Sequence, residues 1–416
     1  MPGGPVVDGG ELGSWLDSRA EEMTALVESL VAIDSETPPG RGLGGCGRLL
    51  RDALMGLDLT PELIELPASP GLEEPCVVRG SVGAGADART VYFHGHFDVV
   101  PAQSRDQFRP RRADGRIVGR GTADMKGGLV SMLYGAAAAR DLGLLADGRI
   151  VLHFVCDEET GSVKGSGHLR ETGMIDPGAA AMVTAEPTGG VVWHASRGAI
   201  TLRVTVEGRP AHVGQAHLGV NAFEQMIQIA EPLADLAHEL LARRTDYPLE
   251  SDEARGSMLV VGGASGSGAN FNVVPGGAWF SVDRRFNPEE DLAEEVARLT
   301  RTIDEAASRI GARVAIDVLQ QQPSAATDAK HPAAVALARC VETVEGEPAR
   351  FELCPGVLET RWYAQLGIPA FAYGAGRLDV SHGPDEYIDE AAMRRCAAVY
   401  ALFAGEVLGG ADRRGP

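Results

Sequence analysis

VYFHGHFDVV, Val91 to Val100, is the stretch whose reading decides the fold. Its first three residues are apolar and β-favouring, the mark of a buried strand. His94, His96 and Asp98 then follow at alternate positions. Side chains two apart in an extended chain point the same way, so His96 and Asp98 can share one face where the strand ends. A carboxylate there can hold one ring N–H while the other ring nitrogen binds a metal. An ordinary strand with core or rim histidines would read the same way, and this stretch alone does not separate the two.

Working outward, residues 149–156 form a second apolar run that leads straight into Asp157-Glu158-Glu159-Thr160-Gly161. Residues 179–185 form a third, ending at Glu186-Pro187-Thr188. Between the first two lies GRGTADMKGG, residues 119–128, opening onto a small-residue helix over 129–142. Upstream, apolar residues recur at helical spacing over 11–33, and the helix should stop before Thr37-Pro38-Pro39-Gly40. A second helix is predicted over 47–56, with strands near 59–66 and 76–81. Downstream, residues 331–343 and 391–408 read as helices and 368–373 as a buried strand. This alternation predicts an α/β catalytic domain with a mostly parallel sheet. Ligands in such sheets gather at the carboxyl ends of the strands, where the histidine and the acidic clusters all fall.

The pattern changes in the middle of the chain. Residues 199–208 and 272–283 alternate like half-exposed strands, 256–268 are rich in Gly and Ser around SMLVV, and 220–241 and 289–310 are helical. With a last strand over 313–319, the βαββαβ order predicts a smaller α+β domain inserted in the first. The expected boundaries are 11–196 and 320–411 for the catalytic domain and 197–319 for the insert.

The chain has 416 residues and a formal net charge of −20, which argues against nucleic-acid and anionic-membrane partners. Six scattered cysteines without CxxC spacing suggest neither a disulfide framework nor a zinc-thiolate site. No apolar run is long enough to span a bilayer. No basic-then-apolar leader opens the chain, which is read as cytoplasmic, and residues 1–10 read as a disordered tail.

His96, Asp124, Glu159, Glu186 and His382 collect as nitrogen and carboxylate donors suited to zinc and related divalent metals. Five such donors suit two metals sharing one carboxylate, with ions about 3.5–4 Å apart. Asp124, in a glycine-rich turn, is the best bridge; a helix N-cap is its ordinary alternative. Glu158 and Glu159 follow an apolar strand directly. If one binds metal, the other is free to act as a general base; a solvated loop with two acids is the plainer reading.

HGHFDVVP, GRGTADMKGG, DEETG, AEPTG and SHGPDEYI, in this order, resemble the co-catalytic zinc hydrolases that include acetylornithine deacetylase, succinyl-diaminopimelate desuccinylase, aminoacylase and carboxypeptidase G. The resemblance runs from about residue 11 to residue 409. It implies that His96, Asp124 and Glu186 hold one metal and that Asp124, Glu159 and His382 hold the other. It also implies that Asp98 orients His96, that Glu158 is the general base, and that the Asp124-Met125 peptide is cis. In the insert, EGRPAHVGQAHLGVNAFE is similar to the family's lid and dimerisation segment. His212 there would stabilise the oxyanion from a partner subunit. NVVPGGAWFSVDRR makes Asn272 and Arg285 candidates for a substrate carboxylate. One segment departs: a family pattern Gly-Thr-Ser-Asp-x-Arg reads Gly356-Val357-Leu358-Glu359-Thr360-Arg361 here, keeping Arg361, a third candidate that can grip a substrate carboxylate bidentately, but losing the polar residues before it.

The expected activity is hydrolysis of the amide of an N-acyl amino acid, with two metal ions lowering the pKa of a bridging water. The ions are zinc, with cobalt or manganese as alternatives. A carboxypeptidase or dipeptidase acting on short peptides is the alternative within the same chemistry. A non-catalytic metal- or ligand-binding protein, or an acidic dimer with accidental clusters, would be the readings of other classes. A homodimer through the insert is expected.

Overall fold

The computed structural model describes residues 9–409. The tail reading at residues 1–8 lies outside them, while Gly9 and Gly10 already open the first helix, Gly9–Asp17. The helix expected over 11–33 is two helices, Gly9–Asp17 and Ala20–Val31. Between them the Ser18 hydroxyl donates to the Trp15 carbonyl at 2.7 Å, a local bond that competes with continuing the helix.

The chain divides into two compact units. One runs through His194 and takes up Thr327–Phe351 and the chain from Trp362 onward; the other comprises Ala195–Ala326 and Glu352–Arg361. In the first, strands Thr60–Glu65, Cys76–Gly83, Arg149–Val155, Thr90–His96, Ala181–Thr184, Ala370–Ala372 and the first residues of Val192–Ser196 lie side by side in that order. The middle four are parallel. Both flanks are antiparallel, so the sheet is mixed around a parallel centre. Register brings the strand ends level: His96 lies opposite Val155, and His94 opposite Thr184. The acidic residues following the neighbouring strands therefore emerge at the same edge as His96.

Helix Gly127–Asp141 is apolar on every side and buried from Gly127 to Ala139, the pattern of a helix enclosed by its neighbours. Its small residues allow close approach. A methyl group added at Gly128 would meet Ala185 Cβ at 2.6 Å, and one at Gly135 would meet the Ala397 carbonyl at 2.8 Å. The helix thus lies against the Ala181–Thr184 strand end and the closing helix Glu390–Gly409. Short elements that escaped the sequence reading include helix Ser166–Glu171 and strands Val192–Ser196, Phe351–Cys354 and Tyr387–Asp389.

The second unit has its own core, centred on Leu202, Val204, Ile229, Leu233, Val282 and Ile303. Its strands run in the order Met258–Ser267, Gly277–Phe286, Gly198–Glu207 and Arg313–Gln322, all antiparallel. Helices Ala222–Leu241 and Leu292–Ile310 complete a βαββαβ unit. Gly198–Glu207 alternates buried and half-buried residues over most of its length. The strand expected over 272–283 is interrupted: Val273–Val274 pairs with Ala211–His212, and a separate strand begins at Gly277. Pro275 explains the break, since it cannot donate to a ladder. The Gly- and Ser-rich segment is an edge strand held by Gly277–Phe286. All six cysteines are buried free thiols. Among the described residues, no helix is long and apolar enough to cross a membrane.

Candidate metal centre

His96 ends its strand fully buried, and its ring is held from behind. Nδ1–H donates to the main-chain oxygen of Asp98 at 3.0 Å, leaving Nε2 to face Asp124 Oδ1 at 3.1 Å. Asp98 therefore holds His96 mainly through its carbonyl, its carboxylate lying 3.5 Å from Nδ1. That carboxylate accepts the amides of Glu158 and Glu159, each at 3.1 Å. Asp98 thus ties the His96 strand to the turn carrying both glutamates. Glu159 is oriented further by the Val100 amide, which donates to Oε1 at 3.2 Å.

Asp124 sits in the turn Thr122–Lys126, entered through Gly121 at φ +82°. That left-handed conformation suits glycine. The Asp124-Met125 peptide is cis. Lys126, buried in the same turn, donates to the Leu30 and Ile33 carbonyls at 2.9 and 3.1 Å, anchoring it beneath the end of Ala20–Val31. A methyl group on Gly376 would come within 2.2 Å of the Ala123 carbonyl, so a second loop presses on this turn.

The two carboxylate oxygens of Asp124 face different imidazoles: Oδ1 faces His96, and Oδ2 lies 3.2 Å from His382 Nε2. His382 is also 3.5 Å from Glu159 Oε1, and Glu186 Oε1 is 4.0 Å from His96 Nε2. All five predicted donors are brought together. His96, Asp124 and Glu159 each offer a ligand atom within 4.8 Å of the others. Nitrogen and carboxylate donors packed this closely, with no thiolate, fit zinc or a related divalent cation.

The electrostatics agree with a cation site. Burial opposes ionisation of Asp124, but hydrogen bonds from His382 and His96 outweigh it and hold the carboxyl well below the usual range. Burial pushes Glu159 upward against the His382 hydrogen bond. Burial alone would lower His96, yet Asp124 and Asp98 hold it well above its ordinary value. Asp124 and Glu159 together raise His382 to about 10. In the metal-free protein, protons on two imidazoles supply the positive charge that the carboxylates require.

The second unit holds the remaining predicted residues. His212 and Asn272 are exposed neighbours: His212 pairs with Val273, and the Asn272 carbonyl accepts the Val213 amide at 3.0 Å. His212 Nδ1 accepts the Gly214 amide at 3.1 Å, so a neutral ring carries its proton on Nε2 and presents it as a donor. Arg285 lies at the other end of strand Gly277–Phe286 and meets Asp283 at 2.8 Å. Arg285 lies eight residue steps beyond Gly277, about 26 Å of extended chain. Arg361 is buried, donating to Gln322 Oε1 at 2.8 Å and the Leu358 carbonyl at 2.7 Å, with Glu359 at 3.2 Å.

Sequence reading missed Arg120 and Glu386, a buried ion pair behind Asp124 and His382. Both stand inside motifs quoted above, GRGTADMKGG and SHGPDEYI. The available signal was a charge of each sign inside two otherwise tight, glycine-bearing turns.

A family model described as Peptidase family M20/M25/M40 matches residues 92–406. Succinyl-diaminopimelate desuccinylase of Corynebacterium glutamicum is 27% identical over 326 residues, covering 77% of this chain and 82% of the relative. N-formyl-4-amino-5-aminomethyl-2-methylpyrimidine deformylase of Halalkalibacterium halodurans is 23% identical over 423 residues, covering 95% and 96%. The fold is that of human carnosine dipeptidase 1, with a TM-score of 0.77 at 18% identity over 98% of this chain and 100% of that one. With a family match across most of its length and a triad built for a cation, the chain belongs to peptidase family M20/M25/M40 as a metal-dependent hydrolase of amide or peptide bonds.

Proposed function

We propose that the protein removes the acyl group from an N-acyl amino acid, using two divalent metal ions and Glu158 as general base. The observation that carries this reading is the divided carboxylate of Asp124, each oxygen turned to a different imidazole. His96, Asp124 and Glu186 would hold one ion, and Asp124, Glu159 and His382 the other, with zinc the best match to the donors. When bound, the ions supply Lewis acidity and make water nucleophilic at neutral pH.

The chain's own groups do the rest. Glu158 adjoins the ligand Glu159, its amide fixed by Asp98. It takes the proton of the attacking water and passes it to the leaving nitrogen. His212, with Nε2–H as donor, stabilises the oxyanion. Arg285, half-buried and paired with Asp283, receives a substrate carboxylate with Asn272. Both arginines face a protein carboxylate, but Arg361 is fully buried and Arg285 only half-buried, which makes Arg285 the more accessible of the two to a substrate.

A homodimer through the second unit is part of this proposal, and the spacing of these residues supports it. His212 and Asn272 are separated from Arg285 by most of a strand, too far for one small substrate to touch both within one copy. A second copy supplying His212 and Asn272 removes the conflict. The edge strand Met258–Ser267 is open on one side, and Val260, Phe223, Ile227 and Leu241 are exposed apolar residues on that strand and helix Ala222–Leu241.

Two relatives bear names for removing an acyl group from nitrogen, a succinyl and a formyl group respectively, which favours deacylation. Steady-state rates on N-succinyl, N-acetyl and N-formyl amino acids against dipeptides test this, and faster dipeptide cleavage would replace the reading with a dipeptidase. Glu158→Gln should lower kcat by roughly 10²–10⁴-fold at unchanged zinc content. Undiminished turnover would remove Glu158 from the mechanism.

A further inference from the structure

Arg120 and Glu386 are each 1% exposed, and neither is a metal ligand in the reading above. Glu386 Oε1 accepts the amides of Ala123 and Asp124 at 3.0 and 3.1 Å. Its other oxygen accepts Arg120 Nη1–H. Arg120 Nη2–H reaches onward to the His382 carbonyl at 3.1 Å and to Gln103 Oε1 at 3.0 Å. Gln103 closes the ring, its Nε2–H donating to the same His382 carbonyl at 2.8 Å. His382 itself has φ +62°, a left-handed conformation that a non-glycine residue keeps only where its surroundings hold it.

Two ligand-bearing segments that are remote in sequence are thus joined through one ion pair. Glu386 fixes the main chain under the Asp124 carboxylate, and Arg120 fixes the main chain under the His382 ring. A buried ion pair contributes little net stability, because desolvation offsets the attraction between the charges. Here each charge also satisfies main-chain groups whose positions decide where ligand atoms point. We propose that the Arg120–Glu386 pair is a positioning device that sets Asp124 against His382 and thereby the affinity of the His382 end of the cluster for a divalent cation. The inference rests on the two-ion reading for its expectation of one weakened and one intact site.

Zinc titration of metal-free protein, followed by calorimetry with chelator competition, tests it. The series comprises wild type, Glu386→Gln, Arg120→Met, the double variant and Gln103→Ala. Glu295→Gln serves as control, since Glu295 belongs to a buried Arg284 pair in the second unit. Glu386→Gln and Arg120→Met should each weaken one of two zinc sites by about 10–100-fold and leave the other within about threefold. The double variant should be no worse than the weaker single, because both break one link. Exposed Gln103 cannot collapse the fold, and Gln103→Ala should weaken the same site by a smaller factor. Glu295→Gln should leave both affinities unchanged. Equal weakening of both sites, unchanged affinities in the folded variants, or the same loss in Glu295→Gln would overturn the proposal. A wild type that takes up one zinc ion refutes the two-ion reading separately. The positioning role then stands or falls on whether Glu386→Gln and Gln103→Ala weaken that one ion.

Discussion

The His96 end and the His382 end of the donor cluster share Asp124 and are built by opposite means. His96 ends a central parallel strand, is fully buried, and has its ring held by the main chain two residues on. His382 lies in an irregular loop, with its side chain 49% exposed and its backbone in a left-handed conformation. Sheet register places the first, while a network of side chains reaching over from other loops places the second. The strand end should therefore be robust, and the loop end should depend on contacts that do not themselves touch the ion.

The largest expected effect erases the comparison. Asp124→Ala removes the oxygens facing both imidazoles, and zinc analysis of the purified variant should find neither end loaded and hydrolysis lost. Retention of one tightly bound ion would show that the two ends do not depend on a common carboxylate.

Proton release is the next largest. Asp124 and Glu159 raise His382 to about 10 in the metal-free protein, so cation uptake at neutral pH must displace that proton. Affinity at this end should rise about tenfold per pH unit below pH 10, checked by calorimetry in two buffers of different ionisation enthalpy. The linkage to folding has the opposite sign. A histidine whose folded pKa is raised contributes stability fully below its unfolded value near 6.5. The metal-free protein should lose that contribution as pH climbs from about 6.5 through 10, which denaturant midpoints in the presence of chelator would reveal.

The smallest effect concerns a histidine of the strand neighbouring His96 that no metal explains. His153 is buried, its Nδ1 2.9 Å from the Tyr363 hydroxyl, and burial holds it well below the ordinary imidazole value. Its folded pKa is depressed, so its neutral form contributes stability above about pH 6.5 that is lost as pH falls below it. The loss is at most about 1.4 kcal/mol per pH unit. His153→Gln should flatten stability between pH 6.5 and 5. An unchanged slope would assign the acid sensitivity to the cluster.

Much of this molecule was legible as letters. Apolar runs ending in histidine or acid marked the parallel centre and its productive edge, because strand ends in register deliver whatever follows them. The βαββαβ unit followed from its alternation. What stayed hidden was set by tertiary partners. Tyr387–Asp389 is a strand because Arg116–Val118 pairs with it, and nothing local marks it. Asp98 was expected to use its carboxylate on His96, and that carboxylate lies 3.5 Å from Nδ1. The strand stops at His96, alternation no longer decides direction beyond it, and nothing local showed that the same carboxylate would also accept the Glu158 and Glu159 amides. Arg120 and Glu386 look like surface charges until a fold buries them together. Arg361 reads from its letters as a grip for a substrate carboxylate, and its burial beside Glu359 is set by the fold.

The pressure of Gly376 on the Ala123 carbonyl has a consequence for how this protein can vary. A single methyl there would have to push aside the residue preceding Asp124, although Gly376 is no ligand and carries no reactive group. Random change should therefore be tolerated poorly at a position with no chemistry of its own. A screen for lost function would flag this silent glycine beside the ligands, its damage arriving as displacement rather than as a missing part.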